Sequence, residues 1–183
     1  MHTTITSREE ILRVSRELIR QQGWPAVNIR QVAASCGVSI GSIYNYFGSK
    51  SELVAATVES VWQDIFQRPE APFPDTEACV RWLYERMAEG GHRYPGFFSL
   101  HAMPFPGGEK AQGRQQMEQV WQHMTDQLVQ VLRRDPRVRS GAFTSTFTPE
   151  KFAGLLFSLL LAALIRGDYD PETVLETVRR TLY

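Results

Sequence analysis

Cysteine is scarce in this chain: two residues in 183, Cys36 and Cys79, with no Cys-x-x-Cys pair. A disulfide framework and a thiolate zinc site are therefore excluded, and a reducing compartment is expected. Histidine is scarce as well, with four residues. His92, His101 and His123 with Glu89 and Glu118 match no ligand spacing, so no catalytic residue, metal or cofactor is expected. An excess of charge is also missing: 20 Lys and Arg balance 20 Asp and Glu, which excludes a surface that is basic throughout. The longest apolar run, Phe152 to Ile165, falls short of the roughly 20 residues a bilayer requires. Met1 to Ser7 lack the cationic start and apolar core of a signal peptide, so a cytoplasmic chain with no membrane partner is expected. No strand pattern, internal repeat or low-complexity tract is present, which leaves an all-α chain.

What the sequence does have is concentrated between Asn28 and Lys50, in NIRQVAASCGVSIGSIYNYFGSK. Asn28 is placed to cap a short helix whose Ile29, Val32, Ala33 and Cys36 recur at the spacing of one apolar face. Gly37 follows the last of them, where a left-handed turn is cheap only without a Cβ, and Val38 offers an apolar plug. Ser39 then caps a second helix over Ile40 to Phe47. Its Ile43 and Phe47 face inward, while Gly41, Ser42, Asn45 and Tyr46 face out. A face of small and amide-bearing side chains suits a major groove. Short helix pairs around a Gly-Val-Ser turn abound in all-α proteins; the flanking residues single this one out. Ser49-Lys50-Ser51-Glu52 reads as a capping box, which puts Lys50 at the positive end of the next helix, where a phosphate would sit.

These residues resemble the tetracycline-repressor (TetR/AcrR) family of bacterial transcriptional regulators. The resemblance runs from Ile11 to about Val54 without a gap and rests on Ile11-Leu12, Leu18, Gly23, Val32-Ala33, Gly37-Val38-Ser39, Gly41, Tyr44, Tyr46-Phe47, Lys50 and Leu53. Ile40 departs from it, standing where a lysine is common. The resemblance implies that Tyr44, Tyr46 and Lys50 anchor phosphates, and that Ser42 and Asn45, with Arg30 from the preceding helix, read bases. Arg30 would favour guanine, Asn45 adenine, and Ile40 a thymine methyl, while Gly41 would let the helix approach closely. With the cap Asn28, these make the expected DNA-binding set. Residues 1 to 50 carry six cations against three anions, Glu9, Glu10 and Glu17, so this part has a net +3 and the rest a net −3. The arginines of the first helix, Arg13, Arg16 and Arg20, fit either a solvated face paired with Glu10 and Glu17 or direct phosphate contact.

Caps and stripes expect about nine helices: a three-helix helix-turn-helix head over 1–54, then a helical ligand-binding and dimerisation body over 55–183. Ser7 to Glu10 reads as a second capping box, and Gly23 ends the first helix. Leu53, Val54, Val58, Val61, Trp62 and Ile65 share a face before Pro69, Pro72 and Pro74 break the pattern. Trp82, Leu83 and Met87 mark a fifth helix and Phe97 to His101 a short sixth segment. The stripe of Met117, Val120, Trp121, Met124, Leu128, Val131 and Leu132 runs to Asp135-Pro136. Arg137 to Phe147 reads as a polar, mobile connection, and Thr148-Pro149 and Asp170-Pro171 open the last two helices by cap and N1 proline.

The helix after Thr148 is apolar nearly all round and must be buried on more than one side. It fits a central core helix of a monomer, or a helix whose second face is covered by another copy of the chain. The second reading resembles the family's four-helix dimer interface, here Ala153, Gly154, Phe157, Leu161 and Leu164 with Val174 and Val178 of the last helix. A homodimer would read a palindromic double-stranded DNA operator. The family's small-molecule effector, taken up between the helix opened by Lys50 and the helix opened by Pro149, has as its candidate lining Trp62, Trp82, Phe97, Phe98, His101, Met103, Met117, Trp121 and Met124. Such residues at helical spacing also make plain core; their Met and aromatic content suits a hydrophobic or aromatic ligand. The expectation is a ligand-responsive repressor. Its alternatives are a DNA-binding regulator controlled by a protein partner and, remotely, a helical-bundle enzyme.

Overall fold

Short polar side chains open the helices of this chain where the sequence places them, because each takes a backbone N–H that the first turn leaves unpaired. The computed structural model describes residues 6–67, 69–98 and 111–183, with the side chains of 111–117 and 119 outside that description. Among the described residues there are eight α-helices and no strand: α1 (Arg8–Gln22), α2 (Ile29–Cys36), α3 (Ile40–Tyr44), α4 (Lys50–Ile65), α5 (Thr76–Arg93), α6 (Ala111–Arg134), α7 (Pro149–Arg166) and α8 (Glu172–Leu182). A 3-10 turn over Trp24–Ala26 joins α1 to α2. The expected segment Phe97 to His101 begins helically at Phe97 and Phe98, and its remainder lies outside the described residues.

Ser7 caps α1, Asn28 caps α2, Ser39 caps α3 and Thr148 caps α7, each accepting an N–H three residues on. The reciprocal half of both capping boxes differs from expectation. Glu10 turns its carboxylate to Arg13 at 2.6 Å, a better partner than a backbone N–H already close to water. Glu52 accepts from Gly48 N at 2.8 Å rather than from Ser49. At α8, Asp170 does accept the Glu172 N–H at 3.0 Å. The second helix of the motif is also shorter than the 40–47 span: α3 ends at Tyr44. Tyr46 and Phe47 still donate to the Ile43 carbonyl, both at 3.0 Å, in a tightened last turn.

The described chain forms two compact units, Met1–Ile65 with Gly91–Gln116, and Phe66–Gly90 with Met117–Tyr183. This line differs from the 1–54 and 55–183 division because all of α4 packs with α1 and because the chain returns to the first unit after Gly90. In the first unit Ile11, Val14 and Leu18 of α1 pack with Ile29, Val32 and Ala33 of α2, with Ile43 and Phe47, and with Leu53 and Ala56 of α4. Asp64, near the end of α4, ties this unit further: it accepts from Tyr94 Oη at 2.7 Å, Arg93 at 3.0 Å and Arg20 at 3.2 Å. Burial alone would raise the Asp64 carboxyl, but these hydrogen bonds and charges outweigh it and hold it below its ordinary value. Tyr94 is pushed up to about 12, by burial first and then by Asp64.

In the second unit Asp135 has the corresponding place. It accepts from Thr76 N at 2.8 Å, Thr76 Oγ1 at 2.6 Å and Tyr183 Oη at 2.7 Å, so the start of α5 and the end of α8 meet on one carboxylate. Burial works upward here too, and the bonds from Thr76, Tyr183 and Arg137 hold the carboxyl low. The connection from Arg137 to Phe147 is pinned rather than mobile: Arg137 reaches Asp75 at 3.1 Å and Glu77 at 2.6 Å, Arg139 N donates to Leu182, and Phe143 stacks on Phe147. Its polar residues are spent on ion pairs and turns.

Because folding depresses the carboxyls of Asp64 and Asp135, their contribution is complete above about pH 4, the unfolded value, and is lost as pH falls through the folded values. Urea unfolding is therefore expected to show stability falling below about pH 4, with Asp135→Ala costing about 2–3 kcal/mol at neutral pH and flattening that acid limb.

Candidate functional site

Helix α3 holds Ile43 fully inside and turns the rest of its short surface outward: Ile40 is 42% exposed, Tyr44 47% and Tyr46 39%, with Gly41 and Asn45 exposed beside them. The helix is entered through Gly37, which sits left-handed at φ 67°, ψ 29°, while the Val38 N–H closes the turn on Ala33 at 3.0 Å. Ser42 is half-buried, its hydroxyl 2.9 Å from that of Ser39. Gly41 has an ordinary helical backbone, and a Cβ there would meet nothing nearer than Ser39 Oγ at 3.6 Å. Nothing inside the protein requires a glycine at this position, and glycine costs a helix up to about 1 kcal/mol relative to alanine. On the outer side no Cβ stands between the α3 backbone and an approaching surface.

Three cations belong to the helices that pack with α3. Arg30, second residue of α2, and Lys50, first residue of α4, are exposed and make no hydrogen bond or ion pair among the described residues. Lys50 stands at the positive end of its helix, where a cation does not help the helix and an incoming anion would. Arg8 lies over the Phe47 ring, 5.1 Å from its centroid. The other α1 arginines have partners within the chain: Arg13 pairs with Glu10, Arg20 with Glu17 and Asp64, and Arg16 reaches the Ser60 hydroxyl.

Two residues of the expected set have other work in this structure. Asn28 caps α2 through Oδ1 at 3.0 Å and donates from Nδ2 to the Ala26 carbonyl at 3.4 Å, so both ends of its amide are taken. Tyr46 donates its hydroxyl to the Thr6 carbonyl at 2.5 Å and fastens the residue before α1 beside α3. The Tyr46 contact has no local signature, since Thr6 and Tyr46 are far apart in sequence. Tyr44 and Asn45 point to solvent without such a bond.

The candidate ligand residues fall into separate groups. Trp62, Phe97 and Phe98 lie together in the first unit with ring centroids 5.5 to 5.8 Å apart, and all three are buried. Trp82 and Met124 line a cavity of about 440 Å³ in the second unit. Trp121 packs on Phe157 at 6.1 Å. His101 and Met103 lie outside the described residues, as does the side chain of Met117. The cavity also takes Phe66 and Phe73, whose rings stand 6.3 and 5.3 Å from Trp82. Sequence reasoning missed them because the prolines around them read as a linker, although two aromatics in a linker were a signal of burial.

Of the expected dimer residues, Ala153, Leu164, Val174 and Val178 are buried within a single chain, and Gly154, Phe157 and Leu161 are half-buried. The exposed apolar side chains of α7 are Leu155, 46% exposed, and Ile165, 54%.

The family model for bacterial regulatory proteins of the tetR family matches residues 11–57. Nucleoid occlusion factor SlmA of Escherichia fergusonii is 31% identical over 163 residues, covering 85% of this chain and 77% of the relative. The chain belongs to the TetR family. A TetR-family chain is a DNA-binding transcriptional regulator and not an enzyme. Two solved structures share the fold: BioQ with its double-stranded DNA operator (14% identity, TM-score 0.56, 90% of this chain and 87% of that one), and the regulator FadR of Bacillus subtilis in complex with stearoyl-CoA (15%, 0.60, 97% and 100%).

Gly41→Ala in this TetR-family chain is expected to leave thermal stability unchanged or raise it by up to about 1 kcal/mol. The same variant should weaken DNA binding about tenfold or more in a fluorescence-anisotropy titration.

Proposed function

We propose that the protein is a homodimeric repressor that reads a palindromic operator with the outer face of α3 and the start of α2, and is released from it by a small apolar effector. The observation that carries this reading is the glycine at position 41, which the protein's interior does not require, on a face flanked by unpaired Arg30 and Lys50. Arg30 suits guanine and Asn45 adenine, Ser42 and Ile40 complete the base-reading set, and Tyr44 and Lys50 take phosphates. Tyr46 acts by holding Thr6 in place. Repression follows the family's usual mode, and the cytoplasm is the compartment in which a bacterial regulator meets its operator.

Dimerisation is supported by where apolar surface remains exposed. Among the described residues the large exposed apolar side chains are Ile40, Tyr44 and Tyr46 at the DNA face and Leu155 and Ile165 on α7. On α7, Leu155, Ser158, Ala162 and Ile165 recur every three or four residues along one stripe, beside half-buried Gly154. A dimer formed on that stripe would carry two α3 faces, and a palindrome offers two half-sites about 34–36 Å apart, one helical turn, for such a pair to read. The cavity in the second unit supports an effector, and an effector that binds one dimer conformation better shifts DNA affinity by a coupling of about 1–3 kcal/mol. A second reading is a DNA-binding protein governed by a protein partner rather than by a small molecule. A cavity whose ligands leave DNA affinity unchanged would favour it.

Arg30→Ala is expected to cost about 1–3 kcal/mol on the selected operator and to relax preference at one base pair. Lys50→Ala should weaken binding to all duplexes alike and lower the salt slope by about one, in titrations across salt concentrations. Leu155→Arg should sediment as a folded monomer and lose cooperative binding to the full palindrome while keeping weak half-site binding.

A further inference from the structure

The cavity of about 440 Å³ in the second unit falls within the usual range of small-molecule pockets, about 300–1,000 Å³, and its walls differ sharply in chemistry. One wall is apolar: Phe66 and Phe73 before α5, Trp82 and Leu83 on α5, and Leu160 on α7. Cys79 belongs to it as well; burial pushes its thiol up to about 12, so it stays uncharged. Along α6 the cavity meets two adjacent rows. Met124, Leu128 and Val131 recur at four and three residues and continue the apolar wall. His123, Gln127, Gln130 and Arg134 recur at four, three and four residues and make a row that offers hydrogen-bond donors. From His123 to Arg134 the helix rises about 16 Å, so the site is long and narrow in its demands.

Arg134 ends the row, exposed, with no ion pair or hydrogen bond among the described residues; its neighbour Arg133 is paired with Glu150. A guanidinium at the rim of an apolar cavity is matched by a planar anion that it can hold with two bonds. One carboxylate, Glu70, also lines the cavity, and no ion pair joins it to Arg134.

We propose that this cavity binds an elongated amphiphile, with its apolar chain along Met124, Leu128 and Leu160 and a singly charged anionic head on Arg134. The regulatory meaning of the site rests on the effector reading above; the site itself rests on the two rows of α6. The ligand class is an aliphatic chain ending in a carboxylate or a similar single anion. Gln130, one helical turn before Arg134, offers a further donor to the head.

The test titrates the full chain with decanoate, decanol and decyltrimethylammonium, each below its micelle concentration, by calorimetry and by tryptophan fluorescence, since Trp82 stands in the wall. Decanoate is expected to bind about tenfold more tightly than decanol and tighter still than the ammonium compound. Arg134→Gln, a change at an exposed position, should bring decanoate down to the decanol level without altering decanol, and Glu70→Gln should strengthen decanoate. Equal binding of decanol, preference for the ammonium compound, no binding by any of the three, or an Arg134→Gln variant that keeps the preference would each overturn the proposal. Operator affinity measured with the same probes separates the two readings. Selective decanoate binding that leaves operator affinity unchanged overturns the effector role and not the site, whereas release by decanol and decanoate alike overturns the anionic head and not the effector role.

Discussion

A helix of five residues does not hold itself together in water, because one turn fixes several dihedral angles for one or two hydrogen bonds. Helix α3 exists because Ile43 and Phe47 are fully buried against α1, α2 and α4, and because Gly37, Ser39 and the last turn over Tyr46 and Phe47 settle its ends. That constraint explains the first unit. Its core, largely aliphatic around Phe47, clamps a short element so that the outward side chains arrive in a fixed arrangement, which sequence-specific contact requires. It also explains why the rest of α3 is free to be small, amide-bearing and apolar at once.

The same economy governs charge and exposed apolar surface. Arg20 ties α1 to Asp64 of α4 and Arg16 ties it to the Ser60 hydroxyl, while Arg30 and Lys50 make no ion pair or hydrogen bond among the described residues. A chain of zero net charge thereby keeps a local positive face. Among the described residues the large exposed apolar side chains are likewise those of the α3 face and of one stripe of α7. Helices α5 and α6 each contribute residues to both compact units.

Much of this was legible in the sequence where a short-range rule decides. Asn28, Gly37, Ser39 and Thr148 do what caps and a left-handed turn residue must do, Ile43 and Phe47 are inside, and the prolines at 69, 72 and 74 do separate α4 from α5. The failures are long-range. Glu10 has two partners available, and only the geometry of Arg13 chooses between them. Tyr46 and Thr6, or Asp135 with Thr76 and Tyr183, are joined by tertiary packing that no spacing foretells. Periodicity shows that α7 is apolar all round but not which side its own chain covers: the chain itself buries Ala153, Leu164, Val174 and Val178 and leaves Leu155 and Ile165 exposed. Likewise Trp62, Phe97 and Phe98 share composition with a ligand pocket and turn out to fill their own unit.

The measurement that bears most directly on the central claim is in-vitro selection of bound DNA from a random duplex pool, with the mass of each complex determined alongside. The account predicts an enriched palindrome whose half-sites are centred about one helical turn apart, bound by an even number of chains. Enrichment of no sequence, or of a single half-site bound by one chain, would contradict it.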